Sequence, residues 1–233
     1  MQPEIRFLGA GGAHDIRWGN SAALLRWSDK TYLIDCGFTV YPRLVAENLL
    51  EAIDAICITH LHDDHIGSLS ALLYHRHFRC NMPPITILAG SEGVRTKLHT
   101  ILHFLMGEVE RFADLRLADQ AEGPVVGLPT DGLHMPHMPS SAFLFQSAAG
   151  YLLYSGDIGC PVPCLQEPDW LKAHQPLWVF HDISFQRVPT HCYFEALYFL
   201  LEQGIPTWGY HCDPEAAPPD LRLPLVHTEF LLS

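Results

Sequence analysis

Residues 58–67 read "ITHLHDDHIG": straight after the apolar run 55–58, three histidines and two aspartates fall within six positions. A continuous apolar run of this length suits a buried strand, so the chain delivers these groups at a strand end. The alternation His60-x-His62-x-Asp64 sets three groups on one side while the backbone stays extended, and His65 must then reach in another direction. A single tetrahedral ion rarely draws four ligands from six residues. Two neighbouring ions use the spacing naturally, two histidines for one and Asp plus His for the other. Such ions, about 3.5–4 Å apart, can hold a bridging hydroxide and clamp the attacking and leaving oxygens. A solvated, histidine-rich turn explains any one of these side chains, but it explains the four together poorly.

A dinuclear site needs further ligands from elsewhere. His137 in "PHMPSSAFLF", Asp157 in "YSGDIG" and His211 in "YHCD" each stand at an expected strand edge or turn. An aspartate has two oxygens, so Asp157 is suited to bridge two ions. His134, three residues before His137, is an alternative ligand. His75, His77, His99 and His103 lie on expected helices and read as surface or packing residues. His14 sits in a loop that could border the site, and the His181-Asp182 pair could hydrogen-bond ligands from behind. Asp63 has no assigned task beyond capping a helix that starts near Gly67 or facing solvent.

With 233 residues, 48% hydrophobic and 17% charged, the chain is long enough for a substantial core. Its 14 basic and 26 acidic residues give a formal charge of −12, which argues against a nucleic-acid polyanion as the main partner. No run approaches a membrane span, and the first residues lack a secretory pattern. Seven cysteines cannot all pair, which fits free thiols in a reducing compartment, and we expect a cytoplasmic protein. Strands alternate with helices in both halves. "SAALLRW" and "TYLIDCG" form a hairpin, "YPRLVAENLLEA", "GSLSALLYHRHF" and "EGVRTKLHTILHFLMG" form helices, and "SAFLFQS" and "GYLLYSGD" form a hairpin about residues 148–150. "LWVFHDIS" and "IPTWGYHC" are later strands flanking the helix "YFEALYFLLEQG". Signals over 108–135 are weaker. The pattern indicates an α/β layered fold.

The order His60-x-His62-x-Asp64-His65, then a later His, a Gly-Asp turn and a late His, resembles the metallo-β-lactamase superfamily. "LIDCG" around Asp35 is similar to the strand-end Asp that precedes the cluster there. The opening "RFLGAGGAHDIRWGNSAALL", "PHMPSSAFLFQSAAGYLLYSGD" and "FHDISF…THCYFEALYFLLEQGIPTWGYHCDP" resemble ribonuclease Z and related small phosphodiesterases. The resemblance covers nearly the whole chain. It implies a four-layer αββα sandwich, one domain over 1–233 with two similar halves meeting near 110–125. It favours His137 over His134, because "MPSSAF" after His137 gives the better match. It also implies His60, His62 and His137 on one ion, Asp64, His65 and His211 on the other, and Asp157 bridging. Asp64 could also orient the hydroxide. His191 takes the place of the histidine that protonates the leaving group.

The chain lacks the Gly- and Lys-rich arm with which ribonuclease Z holds transfer RNA. The expected reaction is therefore hydrolysis of a small phosphodiester or cyclic nucleotide, with two divalent ions, Zn²⁺ or else Mn²⁺ or Fe. The same metals on a thioester, lactone or amide are the main alternative, followed by transfer-RNA 3′ processing. A non-catalytic or redox role for the metal pair stands further off. Loops 11–20, 104–116 and 183–192 are expected to shape the pocket, with Trp18, Phe104, Phe112 and Phe185 as candidate base-stacking rings. Oligomeric state is not legible, a homodimer being compatible with the sequence.

Overall fold

The strand that carries the cluster is β4 (Ala55–Ile58), every residue of it buried, and the chain folds outward from it. The structure, a computed structural model, describes residues 3–121, 123–148, 150–174, 176–227 and 231–232. Before β4 come β1 (Glu4–Gly9), the hairpin β2 (Ala22–Trp27) and β3 (Lys30–Ile34), and helix α1 (Val40–Ala46). After it come α2 (Asp63–Ile66), α3 (Leu69–Phe78), β5 (Ile85–Ala89), α4 (Glu92–Met106) and β6 (Ala113–Leu117). The second half runs β7 (Val125–Pro129), β8 (Ser141–Ser147), β9 (Gly150–Tyr154), α5 (Pro168–His174), β10 (Pro176–Asp182), α6 (Tyr198–Glu202), β11 (Thr207–Tyr210) and β12 (Leu231–Leu232).

Among the described residues the strands form two sheets, ordered β12-β1-β2-β3-β4-β5-β6 and β11-β10-β9-β8-β7. In the first, β2 and β3 run antiparallel and β3, β4, β5 and β6 parallel. In the second, β8 and β9 run antiparallel and β9, β10 and β11 parallel. Parallel strands require crossovers, which here run over the outer faces and carry the helices. β8 shows why the layers close. Its Phe143 and Phe145 enter the core between the sheets, while Ala142 and Leu144 face the second half's helices. A strand buried on both faces reads as a continuous apolar run. α1, α3 and α4 cover the other side of the first sheet through Leu44, Leu72 and Leu98. Each such side chain, fully buried, contributes roughly 1.5–3 kcal/mol relative to exposure. The result is the αββα layering that the resemblance implies.

One local expectation changes. The helix expected over 41–52 stops at Ala46, because Asn48 takes a left-handed φ of 56° and only a short turn of 3₁₀ helix, Leu50–Ala52, follows. Segment 108–135 supplies the edge strands β6 and β7. The turn joining β8 to β9 includes Ala149, which lies outside the described residues. No helix among the described residues is long and apolar enough to cross a membrane.

Candidate active site

β3, β4, β9, β10 and β11 all end at one edge of the sandwich, and each end delivers a polar residue. After β4 the backbone turns instead of staying extended. His62 caps α2, whose single turn brings Asp64 and His65 inward and leaves Asp63 exposed. This corrects the extended-strand picture, since a helical turn lets adjacent residues 64 and 65 both reach the centre. β9 delivers Asp157 through Ser155 and Gly156. Gly156 sits at φ 62°, and a Cβ there would lie 2.9 Å from the Thr59 Cβ, so only glycine lets the two halves approach this closely.

Three donor groups share Asp157; beside Asp157, Asp182, His191 and His211, two sets draw on the 60–65 cluster. One is His60, His62, His134 and Asp157, and the other is Asp64, His65, Asp157 and His211, each with ligand atoms within 4.8 Å of one another. His137 is not in either set. It is exposed, and its carbonyl accepts from Lys97 at 3.0 Å. His134 is buried, and its Nδ1 bonds the Thr190 carbonyl at 2.7 Å, which turns Nε2 inward to 3.1 Å from His62 Nδ1. The structure therefore brings His134, and not the expected His137, to the cluster. The loop between β7 and β8 presents residue 134 to the cluster and turns 137 out toward α4. The other expected ligands, His60, His62, Asp64, His65, Asp157 and His211, converge.

The geometry suits cations. His62 Nδ1 lies 3.0 Å from His60 Nε2 and 3.1 Å from His134 Nε2, so ring nitrogens crowd with few protons to share. Among the described residues, His65 Nε2 and Asp157 Oδ1 are buried without a hydrogen-bond partner, and they lie 3.4 Å apart. Buried polar atoms are almost always paired, so two orphans aimed at each other inside a His/Asp cluster fit a divalent ion.

The electrostatics divide along the same lines. Burial, joined by neighbouring histidines, pushes His60 well below its usual pKa and lowers His62. Burial also opposes charge on His211, but Asp157, Asp64 and Asp182 outweigh it and raise His211 to about 9. His65 is likewise raised, Asp157 and Asp35 overcoming its burial. Asp157 is held well below the carboxylate range, since His211, His65 and His60 overcome the burial that would raise it. Metal binding needs unprotonated imidazoles and would displace protons from His65 and His211.

Two buried aspartates stand behind the cluster. Asp35, at the end of β3, accepts from His65 Nδ1 at 2.8 Å and from the Thr59 hydroxyl at 2.7 Å. Thr59 Oγ1 in turn lies 3.1 Å from His60 Nδ1. Asp182, at the end of β10, meets His191 Nδ1 at 3.0 and 3.2 Å and lies 3.6 Å from His211 Nδ1. Its neighbour His181 turns away, bonding the Asp182 carbonyl and accepting from Val162 N. Burial lowers the His191 pKa, yet its hydrogen bond to Asp182 and the nearby carboxylates raise it overall.

The cluster opens on a cavity of about 330 Å³ whose wall includes His14, Phe38, Asp63, His134 and His191. Of the four rings expected as stacking candidates, Trp18, Phe104, Phe112 and Phe185, none is in that wall. Phe38 is, and only its position directly after "DCG" could have pointed to it. A larger groove of about 820 Å³ lies against α4 and β6, but its Arg95 and Arg116 pair with Glu92 and Asp114. The smaller cavity is lined by members of both donor sets.

The layering and this edge site recur in known proteins. The structure superposes on the metallo-β-lactamase fold protein YhfI from Bacillus subtilis with a TM-score of 0.77 and 16% identity, over 99% of this chain and 98% of that one. This chain therefore has the metallo-β-lactamase fold. In sequence it is 29% identical over 183 residues to ribonuclease Z of Mycolicibacterium gilvum, spanning 69% of this chain and 62% of the relative. It is 32% identical over 164 residues to the Anti-Pycsar protein Apyc1 of Paenibacillus harenae, spanning 66% of this chain and 67% of that relative. The fold and the His/Asp cluster support a metal-dependent hydrolase. The Anti-Pycsar protein Apyc1 family matches residues 3–218, and the chain belongs to that family.

Proposed function

We propose that this chain hydrolyses a small phosphodiester, with a cyclic nucleotide as the foremost substrate. The observation that carries the reading is the adjoining pair of donor sets with His191 beside them, backed by Asp182. His60, His62, His134 and Asp157 would hold one divalent ion, and Asp64, His65, Asp157 and His211 the second. Zn²⁺, Mn²⁺ and Fe all suit such nitrogen and oxygen donors. Bound there, the ions supply Lewis acidity and a water acidified to near neutral pH.

The chain's own residues do the rest. Asp35 fixes the His65 ring directly and the His60 ring through Thr59, and Thr190 fixes His134, so their inner nitrogens face the cluster. Asp182 bonds His191 Nδ1, which leaves Nε2 to carry a proton toward the departing oxygen. The hydrogen bond to Asp182 and the nearby carboxylates raise the His191 pKa against its burial, which favours a proton on that ring. A positioned acid matters most for an alkoxide, a poor leaving group, and this favours a phosphodiester over the activated carbonyls of thioesters or lactones. The −12 charge and the absence of Lys or Arg among the described cavity-lining residues disfavour transfer RNA. The anti-Pycsar name of the family suggests cyclic-nucleotide degradation. The reading assumes the cytoplasm, where the seven free thiols persist.

His191→Ala should lower kcat on a cyclic nucleotide by about a hundredfold or more, and lower it little on bis(p-nitrophenyl) phosphate, whose aryloxide leaves unaided. Equal, small losses on both would count against the acid role. Chelation should abolish both activities and added metal restore them; full activity in metal-free protein would overturn the reading.

A further inference from the structure

We infer that Phe38 is the platform on which the base of the substrate stacks, which makes it a specificity determinant of this site. The inference rests on the phosphodiesterase reading above and adds the part of the substrate that is not phosphate.

Phe38 is 53% exposed, unusual for a ring so close to buried, charged ligands. Single exposed apolar side chains are common on soluble proteins and need no explanation. Phe104, 83% exposed at the end of α4, is of that kind and lies outside the cavity wall. Phe38 differs because it forms part of the same wall as His62, Asp64, Asp157 and His211.

The ring is also held in place. A Cβ on Gly67 would lie 2.6 and 2.7 Å from Phe38 Cε1 and Cδ1, so one edge of the ring rests where any other residue would put a side chain. The backbone around it is tied to the ligand-bearing turn: Cys36 N donates to the His65 carbonyl at 2.7 Å, and Ser68 N donates to the Cys36 carbonyl at 3.0 Å. Phe38 thus keeps a fixed relation to Asp64 and His65. A rigid, half-exposed aromatic at a set distance from the reacting centre is what a planar base requires.

The remaining wall narrows the ligand class. About 330 Å³ is at the small end of the range for small-molecule sites. No Lys or Arg is among its described lining residues, so it offers nothing for the extra charges of a di- or triphosphate. A singly charged cyclic diester bearing one base fits both limits. Stacking on Phe38 accepts any base, since every base presents a π-face.

The test compares wild type with Phe38→Ala, Phe38→Leu and Phe38→Trp on two substrates, a nucleoside 3′,5′-cyclic phosphate and the ribose 3′,5′-cyclic phosphate lacking its base. Phe38→Ala and Phe38→Leu should raise KM for the nucleotide by roughly five- to a hundredfold, the range that base–aromatic stacking spans, with kcat little changed. Phe38→Trp should keep KM within a few-fold, and no variant should alter KM for the abasic diester. Equal losses on both substrates overturn the platform, because Phe38 would then merely support the ligand turn. Unchanged KM in Phe38→Ala overturns it as well. If wild type hydrolyses neither substrate, the phosphodiesterase reading falls and the platform with it.

Discussion

The two halves of the sandwich share a plan and spend it differently. Each sets an antiparallel pair beside parallel strands, β2-β3-β4-β5 in the first and β8-β9-β10-β11 in the second. The first half concentrates its donors, placing His60, His62, Asp64 and His65 on one strand-to-helix turn. The second scatters them: Asp157 follows β9, Asp182 ends β10, His211 follows β11 and His134 sits in the loop before β8. Both halves accept a left-handed backbone at a functional strand end, Asp35 at φ 61° and His211 at φ 68°. Such a conformation costs a non-glycine residue roughly 1–2 kcal/mol. In each case backbone bonds hold it: Asp35 N donates to Cys57, and His211 N donates to Ala10. Parallel strands that end along one edge can therefore assemble one site from either a dense motif or isolated residues.

The sharpest test of the scattered half is its loop ligand. His134→Ala should lower activity by more than the roughly 10–100-fold that loss of an outer partner costs a metal site, and bound metal should fall with it. His137→Ala, three residues on and exposed, should leave both within about twofold, as surface substitutions do. Metal analysis and turnover on one diester decide this. The opposite ranking would restore the sequence-based assignment.

That pair also shows what the sequence could carry. The dense motif was legible because its spacing is itself the geometry, with four donors on one turn. Asp157 and His211 were legible as isolated polar residues after apolar runs. Choosing between His134 and His137 was not, because both lie in a loop whose path depends on tertiary bonds: Thr190 accepting from His134, and Lys97 donating to the 137 carbonyl. The layers followed from alternating strands and helices, whereas β6 and β7 were faint because they are edge strands with mixed burial. Phe38 was missed because nothing in sequence separates a ring at a cavity wall from a ring in the core.

A smaller effect tests whether the two supporting aspartates do the same work. Asp35 backs histidines of both donor sets, whereas Asp182 chiefly backs His191. Asp35→Asn should lower metal affinity roughly 10–100-fold. Asp182→Asn should retain most of the metal and instead slow turnover of an alkoxide-leaving diester more than an aryl one. Equal metal loss in both variants would show that the halves are supported alike, and the division drawn here would fail.

The smallest effect concerns how the outer helices are tied to the sheets. In the first half Glu47, at the end of α1, bonds Arg43 at 2.9 Å and reaches Arg6 of β1 at 2.7 Å. In the second half Arg222 reaches Glu202 at 3.5 Å, a longer and more exposed pair, while its guanidinium stacks on Tyr198 of α6. Burial would raise the Glu47 carboxyl, but Arg43 and Arg6 outweigh it and hold the group below its usual value. A carboxylate depressed in the folded state adds stability above its unfolded pKa, and that increment disappears as pH falls through the folded value. Glu47→Gln should therefore lower unfolding free energy near pH 7 by about 0.5–1 kcal/mol, the upper part of the range for surface ion pairs. The difference from wild type should close as the medium is acidified below both pKa values. Glu202→Gln should change nothing measurable at either pH. Thermal unfolding of the three proteins at both pH values measures this directly, and a deficit in Glu47→Gln that persists in acid would show that the side chain stabilises α1 by packing, not by charge.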